Sequence, residues 1–523
     1  MKLKNTVFLV KAREHKVKYI ENIEDIRLGY VDAVLKKNGI RTQIIDLSFC
    51  QNYALSDVEV IKQRLENDTP RLMIFFIDKH PTNGPAFTME LLDELANSNC
   101  LFDIHISLYG NTQIAIENFF EHHVDSVILG EEESALSLAK CVINNQPIAC
   151  ATGIAFLDND GAVQMLPASL NRDLDCLPIP TRYILNETDK VPNSYCASIL
   201  SSRGCFGKCK YCYLRSKEKY YGLYPLRSRS IRKVVDEIEE LYKKGVKDFY
   251  FSDDEFLQKN GAGLERVLEF CDEIKKRDLR INYSIYSRSD CITKEVVSAL
   301  VDTGLYCVFL GVESFSQSVL DRYNKGISVK SNMDAICILK EFNVHIRLGM
   351  IMFDMFTTIK ELKESIDAIK ILLQDKPELI FQSLFFSNVL IPLEGTPAES
   401  MFGDIEKDRA VSNEVIQETY ARRSRCGLET YGFIDKRVAD IYACTNKMAN
   451  ALLDRCIEDE NRIYAGNYSD IIASRLLNIT SFSVELLEEI YEKILEENSI
   501  NECMEVINLR IKNYFNDNLI AMD

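Results

Sequence analysis

Between residues 5 and 145 the chain alternates short, almost wholly apolar runs with amphipathic stretches, and that rhythm leaves few folds open. The runs are "TVFLV", "RTQIIDLS", "RLMIFFID", "FDIHISLYG" and "DSVILG". Helical patterns follow them in "IEDIRLGYVDAVLKKNG", "SDVEVIKQRLEN", "FTMELLDELANS", a short fourth helix and "EEESALSLAKCVI". A strand with no polar face is buried on both sides, so these segments specify a parallel sheet covered by helices on each face. Five such units predict a doubly wound, Rossmann-like α/β domain over 1–145. Its ligand belongs beyond the carboxyl ends of the strands.

Residues 146–195 break the rhythm. "GIAFLDNDGAVQMLP" reads as a hairpin and the prolines of "DLDCLPIPTRYIL" mark a connector, so 146–195 is expected to be a linker. From 196 the alternation resumes in "CASILSS", "DFYFSDD", "INYSIYS", "YCVFLGVES", "HIRLGMIM" and "LIFQSLFFSNVLIP", with helices such as "IRKVVDEIEELYKKG" and "IKELKESIDAIKILL" between. Six βα units predict a partial (β/α)6, TIM-like barrel over 196–400, with its chemistry on the loops after the strands. The remainder, 401–523, reads as mainly helical and carries no chemical signature.

The loop after the first barrel strand is "SSRGCFGKCKYCYLRS", with Cys205, Cys209 and Cys212 three and then two residues apart. The chain has 17 cysteines, most of them, such as Cys50, Cys141, Cys271 and Cys337, single among apolar neighbours and read as small buried hydrophobes. The triplet differs because Gly204, Gly207 and Lys208 make its loop polar and flexible. Three thiolates are one short of a closed zinc site, which would need Cys196 or Cys176 at awkward separation. A cubane iron–sulfur cluster on three cysteines instead keeps one iron open for an exogenous ligand.

"GCFGKCKYC", with Tyr211 before the third cysteine, resembles the cluster loop of the radical S-adenosylmethionine (SAM) superfamily. The resemblance implies a [4Fe–4S] cluster on Cys205, Cys209 and Cys212, with SAM chelating the open iron and cleaved to a 5′-deoxyadenosyl radical. It extends to Asp253 and Asp254 in "YFSDDEF", to Arg288 in "YSRSD" as a SAM contact, and to Glu313 in "LGVES" near the ribose. Gly395 in "VLIPLEGTP" falls at the adenine edge, and Arg227 and Arg229 in "PLRSRS" resemble a recurrent basic pair. A doubly wound domain ahead of such a barrel is similar to the cobalamin-binding subgroup, through "RLGYVDAVLKKNGIRTQIIDLS", "HISLYGNT", "VILGEEES" and "DLDCLPIPTRY". That implies cobalamin as a third cofactor and methyl transfer to an unactivated carbon. In place of the subgroup's Gly-Gly turn the chain has Tyr109, Gly110, Asn111 and Thr112, so Tyr109 is expected to crowd the nucleotide tail of a bound corrin. A cobalamin-free radical enzyme on the same scaffold (a dehydratase, deoxygenase, epimerase or rearranging enzyme) is the alternative, and a non-catalytic iron–sulfur or zinc regulator a more remote one.

No residue is assigned a catalytic role. His80, His122 and His123 read as loop or surface residues, and Cys426, Cys444, Cys456 and Cys503 are too scattered for a second cluster. A methylthiotransferase acting on tRNA would carry three further cluster cysteines and a basic module, and neither is visible. The net charge of −17 excludes a general nucleic-acid binder, although a basic run from Arg215 to Lys233 suits an anionic small-molecule group. No run of eighteen apolar residues exists and the start lacks a small-residue cleavage site, so no membrane span and a cytoplasmic location are expected. The expected partners are a small-molecule or peptide substrate and an electron donor such as flavodoxin or ferredoxin.

Overall fold

The computed structural model describes residues 4–12, 24–48, 55–77, 84–110, 116–186, 191–192, 195–259, 261–380, 388–390, 392–393, 395–403, 432–464 and 470–518. The chain begins β1 (Lys4–Lys11), α1 (Ile26–Lys37), β2 (Arg41–Asp46), α2 (Asp57–Asn67), β3 (Pro70–Ile77), α3 (Gly84–Asn97), β4 (His105–Gly110), β5 (Ser126–Ile128) and α4 (Glu132–Ile143). Local chemistry sets the ends of these helices. Ser56 and Glu59 form a reciprocal capping box at the start of α2, and Gly39, at φ 76°, turns the chain out of α1.

The strands β1 to β5 are parallel and lie in the order β2-β1-β3-β4-β5, which is that of flavodoxin-like doubly wound sheets. The order reverses between β1 and β3, so the ligand crevice belongs beyond their carboxyl ends. Alternate side chains enter two different cores, as the period of two requires. Phe8, Val10, Met73, Phe75 and Ile77 join the core on one face. Val7, Leu9, Leu72, Ile74, Phe76 and Tyr109 join, on the other, a core continuous with that of the barrel.

The hairpin expected in the linker is present as β6 (Ile154–Leu157) and β7 (Val163–Met165), but β6 pairs antiparallel with β5 and extends the N-terminal sheet to seven strands. Left unpaired, β5 would present an open row of backbone donors and acceptors. The turn is held by Asp158, which accepts from the N–H groups of Asp160 and Ala162 at 2.9 Å each. The connector proper then packs on α1. Thr181 N–H donates to Gly29 O at 3.0 Å, and a Cβ on Gly29 would lie 2.5 Å from Thr181 O, so only glycine allows this approach.

A short helix α5 (Tyr183–Asn186) leads into the barrel: β8 (Cys196–Ile199), β9 (Ser202–Arg203), α6 (Tyr213–Tyr221), β10 (Arg227–Ser228), α7 (Ile231–Lys243), β11 (Asp248–Phe251), α8 (Gly261–Lys276), β12 (Asn282–Arg288), α9 (Lys294–Val301), β13 (Leu305–Glu313), α10 (Gln317–Arg322), α11 (Val329–Glu341), β14 (His345–Met350) and α12 (Ile359–Leu372). Five parallel strands form the wall in the order β8-β11-β12-β13-β14, while β9 and β10 pair as a small antiparallel ribbon. Much of the sixth strand candidate lies outside the described residues. On either side of that gap, Ile380 and Val389 form parallel bridges to Ile346 and Phe353. After α13 (Pro397–Gly403) come α14 (Lys436–Tyr464), α15 (Asp470–Leu495) and α16 (Ile500–Asn518). Tyr442 of α14 packs on Phe353 with ring centroids 5.3 Å apart, so the helical region closes over that side of the barrel. Among the described residues no helix is long and apolar enough to cross a membrane.

Candidate cluster and cofactor site

The cysteine loop leaves the carboxyl end of β8 and is held from beneath by an acidic pair at the end of β11. Asp253 is 2% exposed; it accepts from Ser201 N–H at 2.6 Å and from the hydroxyls of Ser201 and Ser202. Asp254 accepts from Gly204 N–H at 2.8 Å and from the Tyr213 hydroxyl. Both carboxylates are therefore engaged by the chain itself, as braces of the loop. Gly204, at φ 86°, lies where a Cβ would be 2.5 Å from Pro225 O.

The three thiols lie close enough to influence one another electrostatically. Burial pushes Cys205 up to about 11 and Cys212 up to about 12, and the Cys209 thiol adds to both. Such desolvated thiols stay protonated unless a metal takes the proton's place. Donors already aim at the sulfurs: Gly207 N–H at 3.2 Å from Cys205 Sγ and Arg288 Nη1 at 3.6 Å from Cys209 Sγ. Hydrogen bonds to sulfur are a feature of cluster sites. A single tetrahedral zinc, with bonds of about 2.3 Å, holds its thiolates roughly 3.8 Å apart. Among the described residues, the trio of potential ligands gathered within 4.8 Å of one another is Glu131, Glu132 and Glu133, not the loop thiols. The donor set, three thiols with hydrogen-bond donors aimed at two of the sulfurs, fits an iron–sulfur cluster.

Arg288 does not point to open space. Its guanidinium lies 5.3 Å over the Phe206 ring, donates to Lys325 O at 2.8 Å, and pairs with Asp290 at 2.8 Å. These contacts make Arg288 a clamp on the cysteine loop. Glu313 sits on an irregularity of the β13–β14 pairing at φ 63°. A left-handed non-glycine residue of this kind stores strain and marks a functional position. Its carboxylate takes the Lys325 ammonium at 2.8 Å and the Tyr211 hydroxyl. Tyr211 packs edge-on against Tyr323, with ring centroids 5.3 Å apart. Gly395, at φ 76°, packs on α6, where a Cβ on it would lie 3.5 Å from Ser216 Cα.

Sequence reasoning missed Lys325, Glu255 and Arg203. Lys325 is flanked by Asn324 and Gly326 in left-handed conformations, and "NKG" was the available signal. Glu255 accepts from Arg288 N–H at 2.8 Å and Leu257 N–H at 3.1 Å; burial raises its carboxyl to about 8.

Arg203 joins the two halves of the molecule. It donates to both oxygens of Glu132 at 2.9 and 2.7 Å and lies 3.2 Å from Glu131. Glu131 also takes Arg227 at 2.8 Å and the Tyr224 hydroxyl at 2.7 Å. Arg229 is spent on Glu237 at 2.7 Å and Leu200 O at 2.9 Å. Within the basic run expected to suit an anionic group, Arg227 and Arg229 each neutralise a buried carboxylate. Tyr109 is 6% exposed, its ring 4.8 Å from Phe76 and its phenol in the field of Glu132 and Arg203. It points into the core shared with the barrel. Gly110, at φ 138°, meets the end of β3, where a Cβ would lie 2.6 Å from Ile77 O. Asn111 and Thr112 lie outside the described residues.

Residues 199–369, the span that carries this loop, match the family described as Radical SAM superfamily. That span is a radical SAM domain. A [4Fe–4S] cluster and SAM are the cofactors that this domain implies. Over 355 residues the chain is 27% identical to 4′-phospho-dehydrooxetanocin synthase of Priestia megaterium, a match covering 61% of this chain and 47% of the synthase. The chain thus spans about half the length of that relative. The fold is similar to that of the cobalamin-dependent S-adenosylmethionine radical enzyme OxsB with aqua-cobalamin and S-adenosylmethionine bound: TM-score 0.68, 18% identity, 98% of this chain and 84% of that one. It is also similar to the radical S-adenosylmethionine methyltransferase TsrM from Kitasatospora setae with cobalamin and [4Fe–4S] cluster bound: TM-score 0.63, 16% identity, 95% of this chain and 100% of that one. The described architecture, a doubly wound domain, a radical SAM barrel and a helical C-terminal region, is similar in fold to both of these structures.

Proposed function

We propose that this radical SAM enzyme binds cobalamin through its N-terminal domain and methylates an unactivated carbon of a small molecule or peptide. One observation carries the reading. The carboxyl edge of the N-terminal sheet, at the start of α4, is tied by Arg203 to the residues just ahead of Cys205. In both architectures that edge is the ligand-binding one, so a corrin at the first would border SAM at the second. When bound, the cluster and SAM supply reductive cleavage of the sulfonium and cobalamin supplies methyl carriage.

The chain's own residues do the rest. Cys205, Cys209 and Cys212 would hold the cluster, with Asp254 fixing Gly204 and Tyr213 around it. Arg288 keeps the Cys209 sulfur hydrogen-bonded. Glu313, Tyr211 and Gly395 border the side on which SAM would lie. The synthase and methyltransferase names among the similar proteins support a radical reaction on a cobalamin-type scaffold and differ in the product made. The second reading, a cobalamin-free enzyme, is favoured by Arg27. Its Nη1 donates to Ile77 O at 2.8 Å, beside Gly110, and so occupies the carboxyl ends of β3 and β4.

The test is production without air in cells supplied with cobalamin, followed by iron, sulfide and corrin assay. About four irons and about one corrin per chain are expected. The same iron content with no corrin would overturn the methyl-transfer reading in favour of the second. A one-electron donor of flavodoxin or ferredoxin type would feed the cluster, and 5′-deoxyadenosine formation with such a donor checks that step.

A further inference from the structure

Two cations converge on the cysteine loop from the barrel wall, and the cofactor assignments above leave the purpose of their charge open. Arg288 Nη1 is 3.6 Å from Cys209 Sγ, and its Nη2 holds the carbonyl of Lys325 at 2.8 Å. The Lys325 ammonium is itself buried, 5% exposed, and paired with Glu313 at 2.8 Å. The pair lies directly over the β13 backbone: a Cβ on Gly311 would be 3.0 Å from both Lys325 Nζ and Glu313 Oε1. Left-handed backbone at Glu313, Asn324 and Gly326 fixes the two charges where they are. A lysine whose role was only to fill space would not be buried with its charge in the field of the Cys209 thiol.

We infer that Lys325 and Arg288 set the reduction potential of the iron–sulfur cluster assigned to Cys205, Cys209 and Cys212, with Glu313 as the counter-charge that limits their effect. The inference rests on the cluster reading of those cysteines. In this step one electron passes from an external one-electron donor to the cluster; no bond forms or breaks. The electron enters an assembly already anionic from three thiolates. A fixed cation nearby lowers the energy of the reduced state more than that of the oxidised state, and a fixed carboxylate does the reverse. Burial makes both effects larger than the same charges would have in water.

The experiment compares the full-length protein with Lys325→Gln, Glu313→Gln and the double variant, all produced without air and reconstituted with iron and sulfide. Iron content is measured first. The midpoint potential is then read by redox titration followed by electron paramagnetic resonance, without SAM. Lys325→Gln is expected to make the midpoint more negative and Glu313→Gln to make it less negative. Each should change the reduced-to-oxidised ratio at fixed potential about tenfold, which for one electron is about 59 mV. The double variant should fall between them. Opposite signs cannot come from a loosened loop, which would move both singles the same way. Equal midpoints with iron retained, or shifts of one sign, overturn the inference. If Lys325→Gln holds no iron, Glu313→Gln decides alone: a less negative midpoint supports the assignment, and an unchanged or more negative one overturns it. Iron lost from both makes the pair a strut and overturns it too. A parent protein that takes up no iron sinks the cluster reading instead.

Discussion

Arg203 stands two residues ahead of Cys205, and replacing it should loosen the join between the N-terminal domain and the cluster loop. Its side chain is 12% exposed, and its partners Glu131 and Glu132 are 8% and 2% exposed. Arg203→Met leaves Glu132 without its guanidinium, while Glu131 keeps Arg227. Removing one partner of a buried pair costs about 3–5 kcal/mol, against less than about 1 kcal/mol for an exposed pair. For 523 residues, an unfolding entropy of about 2.1 cal/mol/K per residue gives about 1.1 kcal/mol/K for the chain. Tm should then fall by about 3–5 °C if the chain unfolds as a unit, and further if the interface belongs to a smaller unit.

Scanning calorimetry of the iron-free protein reads this directly. Replacing the pair together, as Arg203→Met with Glu132→Leu, should recover most of the loss, because no charge is stranded. The acid limb adds a second readout. Burial opposes the charge on Glu131, but Arg203 and Arg227 outweigh it and hold the carboxyl well below its ordinary 4.5. A depressed carboxyl stabilises the fold above the unfolded value and loses that contribution as pH falls below about 4.5. The parent should therefore lose more stability on acidification than Arg203→Met does. A single variant within about 1 °C of the parent, or a double variant as damaged as the single, would refute the reasoning.

Alanine at Cys205, Cys209 or Cys212 should each abolish iron binding and SAM cleavage, and cleavage surviving in the triple variant would sink the cluster assignment. Glu255 has its carboxyl raised from 4.5 to about 8 by burial, so the fold favours its protonated form. The iron-free parent should lose stability as pH rises from 4.5 towards 8, and Glu255→Gln should flatten that slope; parallel slopes would show the carboxyl is not the cause. Tyr109→Gly should leave a cavity under Phe76 and destabilise by about 3–5 kcal/mol, the range for deleting a buried aromatic. Corrin retention should not rise, and a clear rise would support the crowding role first read from the sequence.

The fold was largely legible because its signals are periodic. Runs such as "RLMIFFID" cannot be half-exposed, and Leu72, Met73, Ile74 and Phe75 are indeed fully buried in the central strand β3. The cysteine loop was legible because spacing within one loop is a local property. What each surrounding side chain touches was not. Asp253, Asp254, Arg227 and Arg229 sit at positions that match the family pattern, yet their charges are consumed by partners 8 to 96 residues away in the chain. Lys325 escaped notice for the converse reason: an ion pair with Glu313, 12 residues earlier, leaves no mark on composition or period. The hairpin was read correctly as a hairpin, but its docking on β5 depends on an edge that only the assembled sheet creates.

Those consumed charges also explain how the N-terminal domain and the barrel are held in register in one chain. Arg182 pairs with Glu24 and Glu237 and donates to Ser198 O at 2.8 Å on β8. Arg229 shares Glu237 and reaches the Tyr30 hydroxyl of α1 at 3.2 Å. Arg203 and Arg227 grip the first turn of α4. Each link runs between the N-terminal domain or its connector and the first strands of the barrel. Apolar contact alone would let the two bodies slide, because burial has no direction. A guanidinium fork fixes both distance and angle, which lysine does not. Buried pairs of this kind add little net stability once desolvation is counted, so their value lies in register. For the proposed reaction, which would bring two cofactor edges to one substrate, register is the property that matters, and in this chain four arginines supply it.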